Sequence, residues 1–180
     1  IVKQMNFFMN QPLGFDKDAI INVPFRTDSL RISRLDYLRK ELLSVNGVQA
    51  VSFSSNTPVE DVDQLWSTFK FDNATKETDF KTILRLADHE YVPTYKLTLV
   101  AGRNLKPGGM VREYLVNESL VKSLGIKNPE DILNKEITVW GVMKATVVGV
   151  LKDFNDRSFR HDLAPLLITT NKTMYTQAGI

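Results

Sequence analysis

The chain has no cysteine. That removes disulfides, thiolate metal ligands and a cysteine nucleophile, and it leaves the redox compartment open. No run of about 18 apolar residues occurs, so no stretch has the length and character of a bilayer-spanning helix. Charge of one sign is also missing: 23 basic residues stand against 21 acidic ones, for a net +2. Lys and Arg are interspersed with Asp and Glu throughout, so there is no basic field of the kind that holds nucleic acid. Gly102, Gly108 and Gly109 form neither GxGxxG nor GxxxxGK[ST], and the phosphate cradle those spacings build is absent. Ser54-Ser55 lacks the flanking glycines of a nucleophile elbow, and no HExxH spacing places two histidines on one helix face. There is no internal repeat and no low-complexity segment. The chain starts at Ile1 without Met or a cleavable leader and stops at Ala178-Gly179-Ile180. It reads as an excised piece of something longer, so missing targeting information says nothing of location.

What is present is a folded composition: 180 residues, 43% hydrophobic and 24% charged. That is enough for one domain, or two small subdomains sharing a core. The stretch Lys144 to Phe154, KATVVGVLKDF, is the line the rest is organised around. Thr146, Val147, Val148, Val150 and Leu151 make an almost continuous β-branched and apolar run, the composition of a strand covered on both faces. Gly149 leaves room there for a neighbour to come close.

Residues 1–11 put Val2, Met5, Phe8 and Met9 on one helical stripe, which Pro12 and Gly14 end. Ala19 to Phe25 reads as a strand closed by Pro24. Asp28 or Ser29 then caps a helix with Leu35, Leu38, Leu42 and Val45 on its apolar side, and Asn46-Gly47 stops it. Val48 to Ser54 is the next strand. This strand–helix–strand unit predicts two parallel strands, neighbours or near neighbours in one sheet, joined by a right-handed crossover. After the polar turn Ser54 to Pro58, Leu65–Phe71 and Lys81–Ala87 read as strands around a loop over 72–79. A short helix is expected from Tyr91, with Pro93 in its first turn. Leu99 to Arg103 bends into the loop Lys106 to Gly109. Tyr114-Leu115-Val116 is a strand, and Asn117 caps the helix Glu118–Leu124, which Gly125 ends. Glu136–Trp140 and Lys144–Leu151 pair as a hairpin across Gly141. Leu166 to Thr170 is a last strand, and the polar remainder is where a second, membrane-directed helix would begin.

Three groups of residues invite a chemical reading. Asp88-His89-Glu90 mixes imidazole and carboxylates, but catalysis needs a base held by a second group and facing a pocket. Adjacent residues point in different directions, and a helix start is the better reading. His161-Asp162 with Asp153 has no metal-ligand spacing and fits a loop hydrogen bond. Trp66, Phe69 and Phe71 suit an aromatic strand face in the core better than a ligand-stacking surface. No catalytic, cofactor-binding or metal residue is assigned, and no cofactor.

Several segments together resemble the extracytoplasmic core domain of MacB-like, FtsX-type permeases of ABC transporters, in the versions found in Bacteroidetes-type bacteria. They are Leu13-Gly14-Phe15 with Asp18 to Ile21, Leu38 to Val51 (LRKELLSVNGVQAV), Ser52 to Pro58, and Tyr91 to Leu105 (YVPTYKLTLVAGRNL). Val116 to Leu124 (VNESLVKSL) with Gly125, and Val147 to Ser158 (VVGVLKDFNDRS) with Ala164-Pro165-Leu166, complete the match. No single motif is diagnostic; order and spacing over nearly the whole chain carry the likeness. One departure is Leu133-Asn134-Lys135, where the family often has a Gly before the Lys.

The resemblance implies an α+β fold: a porter-like α/β subdomain with βαβ units plus a smaller inserted mixed α/β, Sabre-like one. Its expected divisions are 1–14 as the end of a membrane-proximal helix, 15–58 with 147–171 as the porter-like part, 59–146 as the insert, and 172–180 as the start of a return toward the membrane. It also implies a non-catalytic periplasmic domain of an inner-membrane protein, with ATP hydrolysed on a separate cytoplasmic ABC ATPase and coupled to export or mechanotransmission. The implied partners are that ATPase, a second permease copy and a periplasmic adaptor or envelope protein, with no nucleic acid. Two other readings compete: a free-standing envelope module that binds a peptide, lipid or protein, and a hydrolase using His89 or His161.

Overall fold

The apolar run around Val147 becomes the longest strand of the computed structural model, which describes residues 20–25, 33–58, 64–154 and 163–180. This strand, β9 (Met143–Leu151), has neighbours along both edges. Its first half pairs antiparallel with β8 (Glu136–Val139), its second half antiparallel with β6 (Leu99–Gly102), and its other edge lies parallel to β7 (Glu113–Asn117). Both faces are covered: Val147 and Val150 enter one hydrophobic cluster, Leu151 and Val148 the other. Gly149 sits opposite Gly102 in the β6–β9 register. A Cβ at Gly149 would strike the carbonyl oxygen of Arg103, and one at Gly102 would strike that of Val148. Gly102 also has φ +70, so two glycines let these backbones approach.

The sheet continues through β10 (Leu166–Thr169), antiparallel to β7, and β5 (Thr82–Leu86), parallel to β10. Its two borders belong to one stretch of chain. The run expected as a single strand over 65–71 is split at Thr68 into β3 (Trp66–Ser67), which pairs with β5, and β4 (Phe69–Phe71), which pairs with β8. Both halves run antiparallel to their partners, so one run closes the sheet on itself as a barrel. Phe69, Leu84, Leu86, Tyr114, Val116, Ile137, Val139, Val147 and Leu167 form its core cluster. Ile83, Leu115, Leu166 and Ile168, on the alternate positions, pack under Tyr91, Val92 and Tyr95. Those three belong to or follow the short helix α2 (Tyr91–Thr94), with Pro93 in its single turn as expected.

The expected strand–helix–strand unit is present in shortened form. β1 (Asn22–Pro24) and β2 (Ser52–Ser54) flank β11 (Gln177–Gly179), each antiparallel to it, and are therefore parallel near neighbours. Between them, α1 (Leu35–Leu43) ends three residues before Asn46, and Gly47, φ +97, turns the chain toward β2. Leu35 is the buried residue of α1, whereas Leu38 and Val45 are exposed. Its expected cap at Asp28 or Ser29, the N-terminal stripe and His161-Asp162 lie outside the described residues. Positions 21 and 25 of the first strand bond toward β11, so Pro24, one position out of phase, has its missing N–H on the open edge and interrupts no ladder bond.

The polar remainder forms a turn of 3-10 helix, Lys172–Met174, and then β11, the central strand of the small sheet. Leu99–Gly102, expected as a bend, is a strand because Gly102 lets it pair with β9. Asn117 caps α3 (Glu118–Ser123) as anticipated, accepting from Leu120 N at 3.1 Å. The result is a mixed α/β molecule of two sheets, joined at one corner where Ser54 bridges Ala87.

Candidate functional site

That corner encloses several polar side chains, among them Ser52, Ser54 and Asp88. The antiparallel bridge brings β2 to the end of β5, with Ser55 N donating to Leu86 O at 2.7 Å and Asp88 N to Phe53 O at 3.0 Å. The turn then sends the Asp88 side chain inward, where it is 3% exposed. Its carboxylate accepts from Phe53 N at 2.9 Å, Ser52 Oγ at 3.1 Å, Glu90 N at 3.2 Å, and the guanidinium of Arg39. Arg39 reaches in from α1, its guanidinium carbon 5.1 Å from the centroid of the Phe53 ring. One carboxylate thus ties α1, β2 and the β5–α2 turn together. Burial pushes the Asp88 carboxyl above its ordinary value of 3.8, against the opposing pull of Arg39, the Phe53 amide, Ser52 and His89.

Beside this pair opens a cleft of about 280 Å³, lined by Asp36, Arg39, Asp88, His89, Lys172 and Tyr175, among others. Lys172 bonds Asp36 across it at 3.1 Å. Burial raises the Tyr175 hydroxyl above its ordinary range, with Asp88 adding to the shift. His89 Nε2 lies 3.1 Å from Glu90 Oε1, so two members of the Asp88-His89-Glu90 group meet while the third turns away. The hydroxyl nearest the buried carboxylate, Ser52, donates to Asp88. The cleft offers paired charges, and among the described residues no base is aimed at a nucleophile. Its chemistry is that of a joint.

Asp153, grouped in the sequence with His161 and Asp162, serves α3: it accepts from Ser119 N at 3.0 Å, Ser119 Oγ at 2.7 Å and Asn117 Nδ2 at 2.7 Å. Glu118 returns a bond from Asp153 N at 2.9 Å. Ser55 Oγ accepts from Leu86 N at 3.2 Å, as a polar strand end. Phe69 is fully buried and Trp66 exposed, on the two halves of the split run. Among the described residues, no group of three His, Cys, Asp or Glu side chains could hold a metal ion.

Two arginines went unremarked in the sequence. Arg39 meets a residue 49 positions away, and nothing local announces that. Arg85 could have been found, as the one charge inside the run TILRL. It is 1% exposed; Nη1 lies 3.4 Å from the Tyr91 hydroxyl, and Nε and Nη2 have no hydrogen-bond partner among the described residues.

No protein-family model matches the chain, and no curated protein matches its sequence. Solved structures do. The chain is similar to the periplasmic region of MacB from Actinobacillus actinomycetemcomitans, with a TM-score of 0.59, 16% identity, and 96% of this chain and 78% of that one covered. It is similar also to the extracellular domain of the noncanonic ABC-type transporter YknZ from Gram-positive bacteria, with a TM-score of 0.58, 15% identity, and 89% and 81% covered. The fold is that of these domains.

Proposed function

We propose that this chain, which has the fold of the MacB periplasmic region, is the non-catalytic extracytoplasmic domain of an ABC transporter permease. In this reading it couples ATP hydrolysis on a separate cytoplasmic ATPase to export or mechanotransmission, works beside a second permease copy, and meets an adaptor or envelope protein. The observation that carries it is the fold likeness over 96% of the chain. A local feature supports it: Ile21 N donates to Ile180 O, and Ile180 N to Ile21 O, both at 2.9 Å. Residues 21 and 180 therefore lie side by side, an arrangement that suits a domain hanging between two membrane helices. Among the described residues no helix is long and apolar enough to cross a membrane.

The same reading divides the chain into a porter-like part, 15–58 with 147–171, and a Sabre-like insert, 59–146. β9 crosses the later boundary, so the two parts share a strand. Segments 1–14 and 172–180 lead to and from the membrane. The test is the sequence on either side. Apolar spans of about 20 residues close before Ile1 and after Ile180, and co-purification of the full-length protein with an ABC ATPase, are the expected findings; flanks without such spans overturn the proposal.

A further inference from the structure

Arg85 carries a full charge into an apolar layer. It sits within β5, 1% exposed, on the face it shares with Ile83 and Ala87 and under Tyr91. In the strand register Ile168 of β10 stands beside it. Its Nη1 lies 3.4 Å from the Tyr91 hydroxyl, which itself donates to Asn56 O at 3.2 Å. One nitrogen therefore has a long contact with a neutral oxygen, and Nε and Nη2 have no hydrogen-bond partner among the described residues. The buried carboxylate of the following turn, Asp88, is already held by Arg39, Ser52 and the amides of Phe53 and Glu90.

The two nitrogens are not scattered. Nε and Nη2 form one edge of the guanidinium, and their N–H bonds run side by side, the fork with which arginine grips a single anion. A third donor shares that face of the strand. Ser54 stands opposite Ala87 in the antiparallel bridge, so its side chain lies on the side of Ala87 and Arg85, within diagonal cross-strand reach. Its hydroxyl is buried and has no partner among the described residues. A water would satisfy these donors and leave the charge uncompensated in an apolar layer; a small anion answers both needs. The roof is the single turn of α2, short enough to open locally and admit an ion. We propose that Arg85 and Ser54 hold one chloride-sized monovalent anion at the joint between the two sheets. The ion ties β5 of the barrel to β2 of the small sheet, so its occupancy sets how firmly the sheets are held together. The site does not depend on the permease reading.

The test uses the 180-residue chain refolded from urea in potassium gluconate, whose anion is too large for the site, and then moved to chloride at equal ionic strength. The thermal midpoint is expected to rise by about 5 °C in chloride. The Ser55 and Asp88 amides, which bond across the corner, should exchange more slowly. Arg85→Met is expected to lose the shift and to melt above the wild type in gluconate. Ser54→Ala keeps the fork and should weaken chloride binding about threefold. Bromide-soaked crystals should show an anomalous peak within hydrogen-bond distance of Nε and Nη2. No shift in a folded wild type overturns the proposal, and so does an equal shift in Arg85→Met, the mark of a general salt effect. A wild type that ignores chloride and is destabilised by Glu60→Gln, Asp61→Asn or Asp63→Asn overturns it in favour of a carboxylate of the chain itself. Flanks lacking apolar spans would sink the permease reading and leave the chloride shift untouched, so the two failures are separable.

Discussion

The Arg39–Asp88 pair, sealed between α1 and β2, and the Arg103–Glu113 pair, open to water on the barrel, are the same two chemical groups in different surroundings. In the exposed pair Arg103 Nη1 and Nη2 fork onto Glu113 at 3.0 and 2.5 Å, and the Lys106 amide adds a bond at 2.9 Å. The Arg103 hydrogen bonds hold the Glu113 carboxyl below its ordinary 4.5. In the sealed pair burial outweighs the arginine, and Asp88 moves up. Arg85 is the limiting case, a guanidinium taken out of water with no carboxylate beside it among the described residues. The partner's charge alone therefore does not set the sign of the shift; the water that is lost matters as much.

The comparison can be broken at its strong end first. Asp88→Ala leaves Arg39, the Ser52 hydroxyl and the Phe53 amide without their acceptor, and is expected to cost about 3–5 kcal/mol in urea unfolding. Hydrogen exchange should then quicken in β1, β2 and β11 before it does in the barrel; equal loss across both sheets would mean that Asp88 is not the joint between them. Asn117→Ala removes a neutral joint, which accepts from Leu120 N and Leu166 N and donates to Asp153 and Ala164; a loss of about 2 kcal/mol by the same measurement is expected. Arg85→Met should go the other way and raise stability by about 1–2 kcal/mol, since it removes a desolvated charge and keeps the volume. A destabilised Arg85→Met would show that the guanidinium has a counter-charge after all.

The smallest effects are in the pH dependence, where the two carboxylates oppose each other. Asp88 binds its proton more tightly folded than unfolded, so its contribution is fully present below 3.8 and is lost as pH rises through the folded value. Glu113 behaves inversely: its contribution is present above 4.5 and is lost as pH falls through the lowered folded value. Asp88→Asn should flatten the first slope and Glu113→Gln the second, the latter by less than about 1 kcal/mol because Arg103 is solvent-exposed. Unfolding midpoints measured between pH 3 and 7 check both, and parallel curves for the two variants would remove the distinction.

The parts of the fold that were legible in the sequence are those set by local rules. The buried run at Val147, the close approach at Gly149, the Asn117 cap and the hairpin across Gly141 each follow from composition and spacing within a few residues. The parts that were not depend on distant partners. Nothing between Leu65 and Phe71 says that Thr68 is where the chain changes partner, because β5 and β8 are brought there by the closure of the sheet. Gln177-Ala178-Gly179 is too short and polar to read as a strand, and it becomes one because β1 and β2 already flank it. Its Gly179 also fits under the Tyr95 hydroxyl, which donates to Asn22 Oδ1 at 2.6 Å. The buried joint was half visible: Asp88 stood out within the Asp88-His89-Glu90 cluster, though as a helix start, and its partner on α1 did not stand out.

The paired departure of Ile21 and Ile180 has a mechanical consequence. A load that draws the two ends apart meets the β1–β11 ladder from its tip and peels it bond by bond, which takes little force. A load applied to both in the same direction does not peel that ladder and passes through the Ser54–Ala87 bridge and Asp88 into the larger sheet. The small sheet gives way like a zip when residues 21 and 180 are spread and holds when they are drawn together, so the direction of the load selects which half yields.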